Sequence, residues 1–170
     1  VNYFNNNDSR VYCSYLDASK AFDRLVHSGL FLKLINRGVS LAFLEVIMSW
    51  YDGLQCRVKW DDHFSDWFAI SAGVRQGGLL SPDFYSIYVD ELITIIQKTN
   101  KGCYVNNVFM ATLFYADDMA LLAPSIKGLA FLLNICSDYC LKWDICLNVK
   151  KTKNLYFGKR TTISYDIQMN

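Results

Sequence analysis

The sequence has few of the residues that break regular structure. Its 170 residues include two prolines and nine glycines, so each of them marks a turn, a loop or a helix end. Uninterrupted apolar runs are short beside the ~18 residues of a membrane-spanning helix, and we expect neither a membrane span nor a membrane partner. The opening VNYFNNNDSR is polar and therefore predicts no signal peptide.

Cysteine and histidine patterns that bind zinc are also missing. The six cysteines form no Cys-x-x-Cys pair and there are two histidines, which argues against a zinc site. Cys136 and Cys140 lie four residues apart in an apolar helical pattern, which is typical of buried free thiols. Free thiols favour a reducing compartment, so we expect the protein inside the cell, in the nucleus or cytoplasm.

Net charge is small as well. The 17 basic and 16 acidic side chains leave a net charge of +1, which is weak for a protein that binds nucleic acid unaided. Five of the basic residues are concentrated in KKTKNLYFGKR, residues 150–160. This segment could contact phosphates or form a solvated, lysine-rich strand edge, and the sequence leaves both readings open.

Apolar and aromatic side chains are abundant, at 52% and 15% of residues, which suffices for a folded core and argues against disorder. The length fits one domain with a subdomain excursion. A strand ending near Asp17 carries apolar side chains on both faces and should lie inside a sheet. Short alternating strands and longer helical patterns together predict an α+β fold, an antiparallel sheet with helices on one face.

Local signals place the other elements. Helix ends are predicted at Gly38 as a C-terminal cap and at Ser40, Ser81 (before Pro82) and Ser125 as N-terminal caps. The helix after Ser40 should turn four side chains inward: Leu41, Leu44, Ile47 and Met48. Turn residues predict hairpins around residues 61–63, 106–107 and 116–118, and alternation predicts closing strands in KNLYFG and ISYDIQ.

Two adjacent carboxylates, Asp117 and Asp118, lie inside the apolar run LFYADDMALLA. Burying them unpaired would be costly, whereas a second pair, Asp61-Asp62, lies in an ordinary polar turn. A hairpin turn would place Asp117 and Asp118 at a partly open tip. If the strand that ends at Asp17 pairs with this hairpin, three carboxylates converge, and two Mg²⁺ ions ~3.5–4 Å apart would relieve their repulsion.

Four segments carry a further signal through their order and spacing: LDASKAFD (16–23), GVRQGGLLSP (73–82), FYADD (114–118) and LNVKKTK (147–153). They resemble the successive palm motifs of reverse transcriptases, in particular those of non-LTR, LINE-like retrotransposons of the RTE or CR1 type. The resemblance implies that residues 1–170 are a single reverse transcriptase domain fragment with a right-hand polymerase fold. The palm would take up about residues 8–27 and 73–170, with a fingers-like excursion at about 28–72 and the thumb absent.

The resemblance also implies the metal-binding residues. Asp17 matches the palm aspartate that binds both metal ions, and the carbonyl of Ala18 lies beside it in the nucleotide site. Asp117 matches its partner, and Asp118 matches a third carboxylate that coordinates less directly. The implied cofactor is a pair of Mg²⁺ ions, for which Mn²⁺ can substitute.

Nucleotide and template contacts follow in the same way. Phe22 falls at the position where a ring excludes a ribose 2′-hydroxyl, with a plain core phenylalanine as the alternative. Gln76 and Gly77 match the loop that packs on the incoming nucleotide and template base. Arg75 would hold a backbone phosphate or else form a surface salt bridge, and Tyr115 would lie by the primer end or simply pack.

The implied activity is that of an RNA-directed DNA polymerase, which adds deoxynucleoside triphosphates to a DNA primer on an RNA template during retrotransposon replication. Lys151 would protonate the leaving pyrophosphate, with Lys150 and Lys153 as alternatives. Further partners would be the remaining fingers, the thumb and an endonuclease of the parent polyprotein. Two rivals stay open: an RNA-dependent RNA polymerase, against which Phe22 argues, and a catalytically inactive remnant that at most binds nucleic acid.

Overall fold

The computed structural model describes residues 1–7 and 9–158. The helices there are α1 (Asn2–Asn6), α2 (His27–Asn36), α3 (Leu41–Tyr51), α4 (Ser81–Lys98) and α5 (Ile126–Lys142). The strands there are β1 (Val11–Asp17), β2 (Gln55–Cys56), β3 (Lys59–Trp60), β4 (His63–Phe64), β5 (Phe68–Ala69), β6 (Cys103–Val105), β7 (Val108–Met110), β8 (Thr112–Tyr115), β9 (Asp118–Ala123) and β10 (Lys153–Phe157).

The chain divides into two compact units. The sheet unit consists of Val1–Lys20 and the chain from Val89 onward, and the helical unit is Ala21–Tyr88. The second boundary falls inside α4. The expected palm at about residues 8–27 and 73–170, and the fingers-like excursion at about 28–72, stay a prediction, because compactness alone does not distinguish polymerase subdomains.

A four-stranded antiparallel sheet organises the sheet unit. Its order is β10-β1-β9-β8, so β1 is an inner strand, as its two apolar faces predicted. Leu16 of β1 is paired with Met119 of β9, and both join a buried cluster with Leu92 of α4 and Leu132 of α5. The helices therefore pack on one face of the sheet, which confirms the predicted α+β arrangement.

Aromatic rings occupy the interior of the helical unit. The buried Tyr51 ring of α3 lies 4.6 Å from the His27 ring of α2 and 6.3 Å from the Phe84 ring of α4, measured between centroids. The Ser40 hydroxyl accepts a hydrogen bond from the backbone N–H of Phe43, so the predicted N-terminal cap of α3 is confirmed. Beyond α3, the short strands pair as β2 with β5 and β3 with β4.

The buried face of α3 differs from the predicted one. Leu44 and Ile47 are buried as expected, but Leu41 and Met48 are 72% and 45% exposed, and Tyr51 is buried instead. The prediction for Leu41 and Met48 was wrong because LAFLEVIMSWY has apolar residues on every side of the helix, so periodicity could not select one.

Turn and cap chemistry was predicted more accurately. Asn106 and Asn107 both have positive φ, 47° and 65°, which is the geometry of a two-residue turn between β6 and β7. The Ser125 hydroxyl accepts a hydrogen bond from Gly128 N–H, which confirms Ser125 as the N-terminal cap of α5. Helix α1 was not predicted, and the expected strand in ISYDIQ lies outside the described residues. Among the helices of the described ranges, none is long and apolar enough to cross a membrane.

Candidate active site

The three aspartates of interest lie at the same end of the sheet. Asp17 ends β1, Asp118 begins β9, and the two are directly opposite each other in the antiparallel register. The backbone N–H of Ala18 donates to the Asp117 carbonyl over 3.4 Å. Strand pairing thus brings together residues about a hundred positions apart, as the sequence suggested.

The hairpin turn beside them is tighter than expected. Tyr115 of β8 pairs with Asp118 of β9, so the turn residues are Ala116 and Asp117, whereas both aspartates had been placed in the turn. Ala116 has φ 52°, a left-handed conformation that costs an alanine about 1 kcal/mol. The strained residue directly precedes two adjacent carboxylates that face solvent, since Asp117 and Asp118 are both exposed.

A turn after α5 brings a lysine to Asp17. The N–H of Asn148 donates to the Asp17 carbonyl over 2.8 Å, and the Asn148 carbonyl accepts from Lys151 N–H over 3.1 Å. The ammonium of Lys151 then lies 3.3 Å from Asp17 Oδ1. Asn148, which sequence reasoning missed, couples the two residues; its signal was an asparagine, a common turn former, inside LNVKKTK.

Opposite charges line one open cavity of about 460 Å³. Asp17 and Asp118 contribute carboxylates, Lys150, Lys151 and Lys153 contribute ammonium groups, and Tyr15 and Leu16 complete the lining. Acidic groups facing basic ones suit a ligand that carries phosphates on one side and cations on the other. Beside Asp118, its hairpin partner Tyr115 is 84% exposed.

The carboxylates fit a divalent cation by chemistry. All the candidate ligands are carboxylate oxygens, which hard cations such as Mg²⁺ prefer, and the register sets Asp17 opposite Asp118. Within residues 1–7 and 9–158, no three His, Cys, Asp or Glu side chains converge closely enough to hold a metal ion. One oxygen of Asp17 is instead neutralised by Lys151, so side-chain rotation would have to precede metal binding.

The glycine-rich loop of the helical unit holds the other predicted residues. The Gln76 amide donates to Asp23 Oδ1 over 3.0 Å, so Asp23 orders the loop. Gly77 has φ 76° with open space around its Cα, and a glycine is needed there for backbone conformation rather than for close approach. A Cβ on Gly78 would lie 2.6 Å from the Ser81 hydroxyl, so close approach applies at Gly78.

Gly73 was missed by the sequence reasoning and is the most constrained glycine of this loop. It has φ 90°, and a Cβ there would lie 2.6 Å from the Asp23 carbonyl oxygen. Its N–H donates to the Leu25 carbonyl over 2.7 Å, and its carbonyl is 2.7 Å from His27 Nε2. The segment after β1 is thereby fastened to the start of the loop.

Arg75 is exposed and stacks on an aromatic ring. Its guanidinium lies 5.7 Å from the centroid of the Trp50 ring, a cation–π contact. Burial raises the pKa of Tyr51, and the positive charge of Arg75 partly opposes that shift. The Phe22 ring, also in this unit, packs 4.8 Å from the Tyr85 ring.

A family model decides what kind of protein this is. The model described as reverse transcriptase (RNA-dependent DNA polymerase) matches residues 1–165. The chain belongs to the reverse transcriptase family. It is therefore an enzyme by family, and members of this family generally use divalent metal ions.

Relatives among mobile elements narrow this assignment. The chain is 31% identical over 82% of its length to the Pol polyprotein of the retrotransposable element R2DM from Drosophila melanogaster, covering 13% of that protein. It is 32% identical over 84% of its length to the RNA-directed DNA polymerase of the mobile element jockey from Drosophila funebris, covering 16% of that protein. The chain is thus a reverse transcriptase segment of the LINE-like kind that spans about a sixth or less of these relatives; the narrower RTE or CR1 type stays a prediction.

Solved structures support the fold. Apo telomerase from Candida tropicalis, truncated of its C-terminal domain, matches with a TM-score of 0.68 at 19% identity, over 91% of this chain and 32% of that one. Telomerase from Candida albicans, in complex with a fragment of telomeric RNA, matches with a TM-score of 0.66 at 18% identity, over 92% of this chain and 28% of that one. The likeness confirms the right-hand polymerase fold.

Proposed function

We propose that this chain is the catalytic core of an RNA-directed DNA polymerase that adds deoxynucleotides to a primer 3′-hydroxyl on an RNA template. The observation that carries the proposal is the pairing of Asp17 with Asp118, which sets carboxylates from β1 and β9 beside the turn of Asp117. Membership of the family supports the same reaction.

The carboxylates of Asp17, Asp117 and Asp118 would hold two Mg²⁺ ions, or Mn²⁺ in their place. Such ions supply charge neutralisation for the triphosphate and lower the pKa of the attacking hydroxyl. Asp17 would serve both ions, because it ends an inner strand and its backbone is fixed on two sides, by β9 and by Asn148 N–H. Asp118 would coordinate less directly.

Lys151 would donate the proton to the leaving pyrophosphate. Its ammonium lies 3.3 Å from Asp17 Oδ1, which favours it over Lys150 and Lys153. Once the Asp17 carboxylate turns to a cation, the Lys151 ammonium would be free to face the leaving group.

The remaining residues would select and align substrates. Phe22 would exclude the ribose 2′-hydroxyl, and Ala18 would place its carbonyl beside the nucleotide. Gln76 and Gly77 would pack on the incoming nucleotide and template base. Arg75, exposed at the loop, would hold a backbone phosphate, and the exposed ring of Tyr115 would lie beside the primer end.

The partners follow from the reaction. RNA template, DNA primer and deoxynucleoside triphosphates would be bound with help from further fingers, a thumb and an endonuclease of the parent polyprotein. The small net charge of +1 supports a division of labour in which other regions supply most of the basic contacts. Its substrates would place the protein in the nucleus or cytoplasm.

Primer extension by the product of the whole open reading frame around this sequence tests the proposal. Wild-type protein should extend a DNA primer on RNA in the presence of Mg²⁺, and Asp17→Ala should abolish extension. The control is Asp61→Ala, which removes a carboxylate from the turn between β3 and β4; Asp61 is exposed, whereas 25% of the Asp17 side chain is accessible. Equal extension by wild type and Asp17→Ala contradicts the assignment. No extension by the wild type favours an inactive remnant. Equal use of ribonucleotides and deoxynucleotides favours an RNA-dependent RNA polymerase.

A further inference from the structure

The Phe22 ring rests on a buried aromatic partner. Its centroid lies 4.8 Å from that of Tyr85, with 32° between the ring planes. Tyr85 is 4% exposed, in the second turn of α4, whereas Phe22 remains partly accessible. One ring is therefore held in the protein interior, and the other packs against it and is partly exposed.

The backbone of Phe22 is held as well. Its carbonyl accepts from Val74 N–H over 2.8 Å, in the loop between β5 and α4. Three residues along the chain, the Leu25 carbonyl accepts from Gly73 N–H. With the backbone fastened, the remaining freedom of Phe22 is rotation of its side chain, and contact with the Tyr85 ring restricts that rotation.

We propose that Tyr85 is a positioning residue for sugar selection, because it holds the Phe22 ring at the place where a ribose 2′-hydroxyl would otherwise fit. The inference rests on the proposed function and extends it to a residue outside the four matching motifs. Exclusion of a single oxygen depends on where the ring is held, and close packing against a buried neighbour fixes that position. Without the Tyr85 ring, Phe22 can swing away and leave space for a ribonucleotide.

The measurement is the ratio of kcat/KM for a deoxynucleotide to that for the matching ribonucleotide, in primer extension by the product of the whole open reading frame. Tyr85→Leu should lower this ratio on the order of tenfold, as expected when one packing contact in a selective pocket is lost. Tyr85→Phe keeps the ring and should keep the ratio. Phe84→Leu is the matched control: Phe84 is an equally buried aromatic neighbour that contacts Tyr51, so this variant should lose stability without a change in the ratio.

Phe22→Ala separates this inference from the proposed function. A large fall of the ratio in Phe22→Ala with an unchanged ratio in Tyr85→Leu overturns the role of Tyr85 alone. An unchanged ratio in Phe22→Ala, or no extension by the wild type, overturns the proposed sugar selection and the role of Tyr85 with it. If Tyr85→Leu does not fold, Tyr85→Met offers a side chain of similar volume that adapts better to the space and should also lower the ratio; an unchanged ratio there again overturns the inference.

Discussion

Asp17 and Asp118 are directly opposite each other in two antiparallel strands. Asp117, in the hairpin turn, immediately precedes Asp118. Like charges so placed disfavour the sheet at neutral pH. Lys151 relieves part of this repulsion by approaching Asp17 to 3.3 Å. The arrangement suits a site that gains stability when a cation is added.

Millimolar Mg²⁺ should raise the melting temperature of the protein. At ten times Kd, binding to the folded state alone adds about 1.4 kcal/mol, which corresponds to roughly 3–6 °C for a domain of this size. Asp117→Asn should remove the gain, because it removes one carboxylate without changing side-chain size. Asp62→Asn, in the polar turn between β3 and β4, should keep the gain; loss in both variants would point to an unspecific charge effect.

Lys151→Ala should affect catalysis far more than stability. The Lys151 side chain of the pair is 67% accessible and that of Asp17 is 25% accessible, and pairs so open to solvent contribute about 1 kcal/mol or less. Loss of a proton donor should instead slow extension by about a hundredfold or more. Lys150→Ala serves as the control in the same cavity, and a larger effect of Lys150→Ala would reassign the donor.

Gly73→Ala should be strongly destabilising. The substitution forces a Cβ to within 2.6 Å of the Asp23 carbonyl at φ 90°, so the backbone must move, and we expect a loss of about 3 kcal/mol in urea unfolding. Gly38→Ala is the matched control, because it combines φ 74° with open space and should cost only about 1 kcal/mol. Similar losses at both positions would mean that close approach to Asp23 adds nothing.

Stability should fall above pH 9 because of buried thiols. Burial raises the pKa of Cys103 to about 11 and that of Cys140 to about 12, from 9.0. Since the folded state holds these protons more tightly, the stabilisation is complete below pH 9 and is lost as pH rises toward 11–12, by up to about 1.4 kcal/mol per pH unit for each thiol.

The alkaline effect is checked by urea unfolding between pH 8 and pH 11. Cys140→Ala should reduce the dependence of stability on pH in this range, whatever its effect on absolute stability. Cys56→Ala removes an exposed thiol and should leave the pH dependence as it is. An unchanged slope in Cys140→Ala would rule out that thiol as a source.

Sequence predicted best what short-range chemistry determines. Strand β1, the Ser40 and Ser125 caps and the Asn106-Asn107 turn depend on a few neighbouring residues, and the structure has them as expected. Predictions failed where a partner distant in sequence determines which side chain is buried. Nothing within α3 indicates that Tyr51 is buried instead of Met48, because the rings that cover Tyr51 come from α2 and α4.

The candidate site shows the same division. Motif order led to Asp17, Asp117, Asp118 and Lys151, and their roles remain predictions. The residues that hold this machinery, Asn148 beneath Lys151 and Tyr85 behind Phe22, were not found, because their contacts join positions 131 and 63 residues apart along the chain. A sequence pattern carries no direct trace of such pairings.

The inner position of β1 also has a consequence for synthesis. Its partner β9 begins about 100 residues further along the chain, and its other partner β10 begins at Lys153 and ends at Phe157. At roughly 5–20 residues per second, a ribosome needs on the order of ten to thirty seconds after Asp17 to deliver the last of them. Until then β1 is an apolar strand, near the start of the growing chain, that lacks at least one of its neighbouring strands. A chaperone that shields it would therefore determine how much of the protein reaches the folded state.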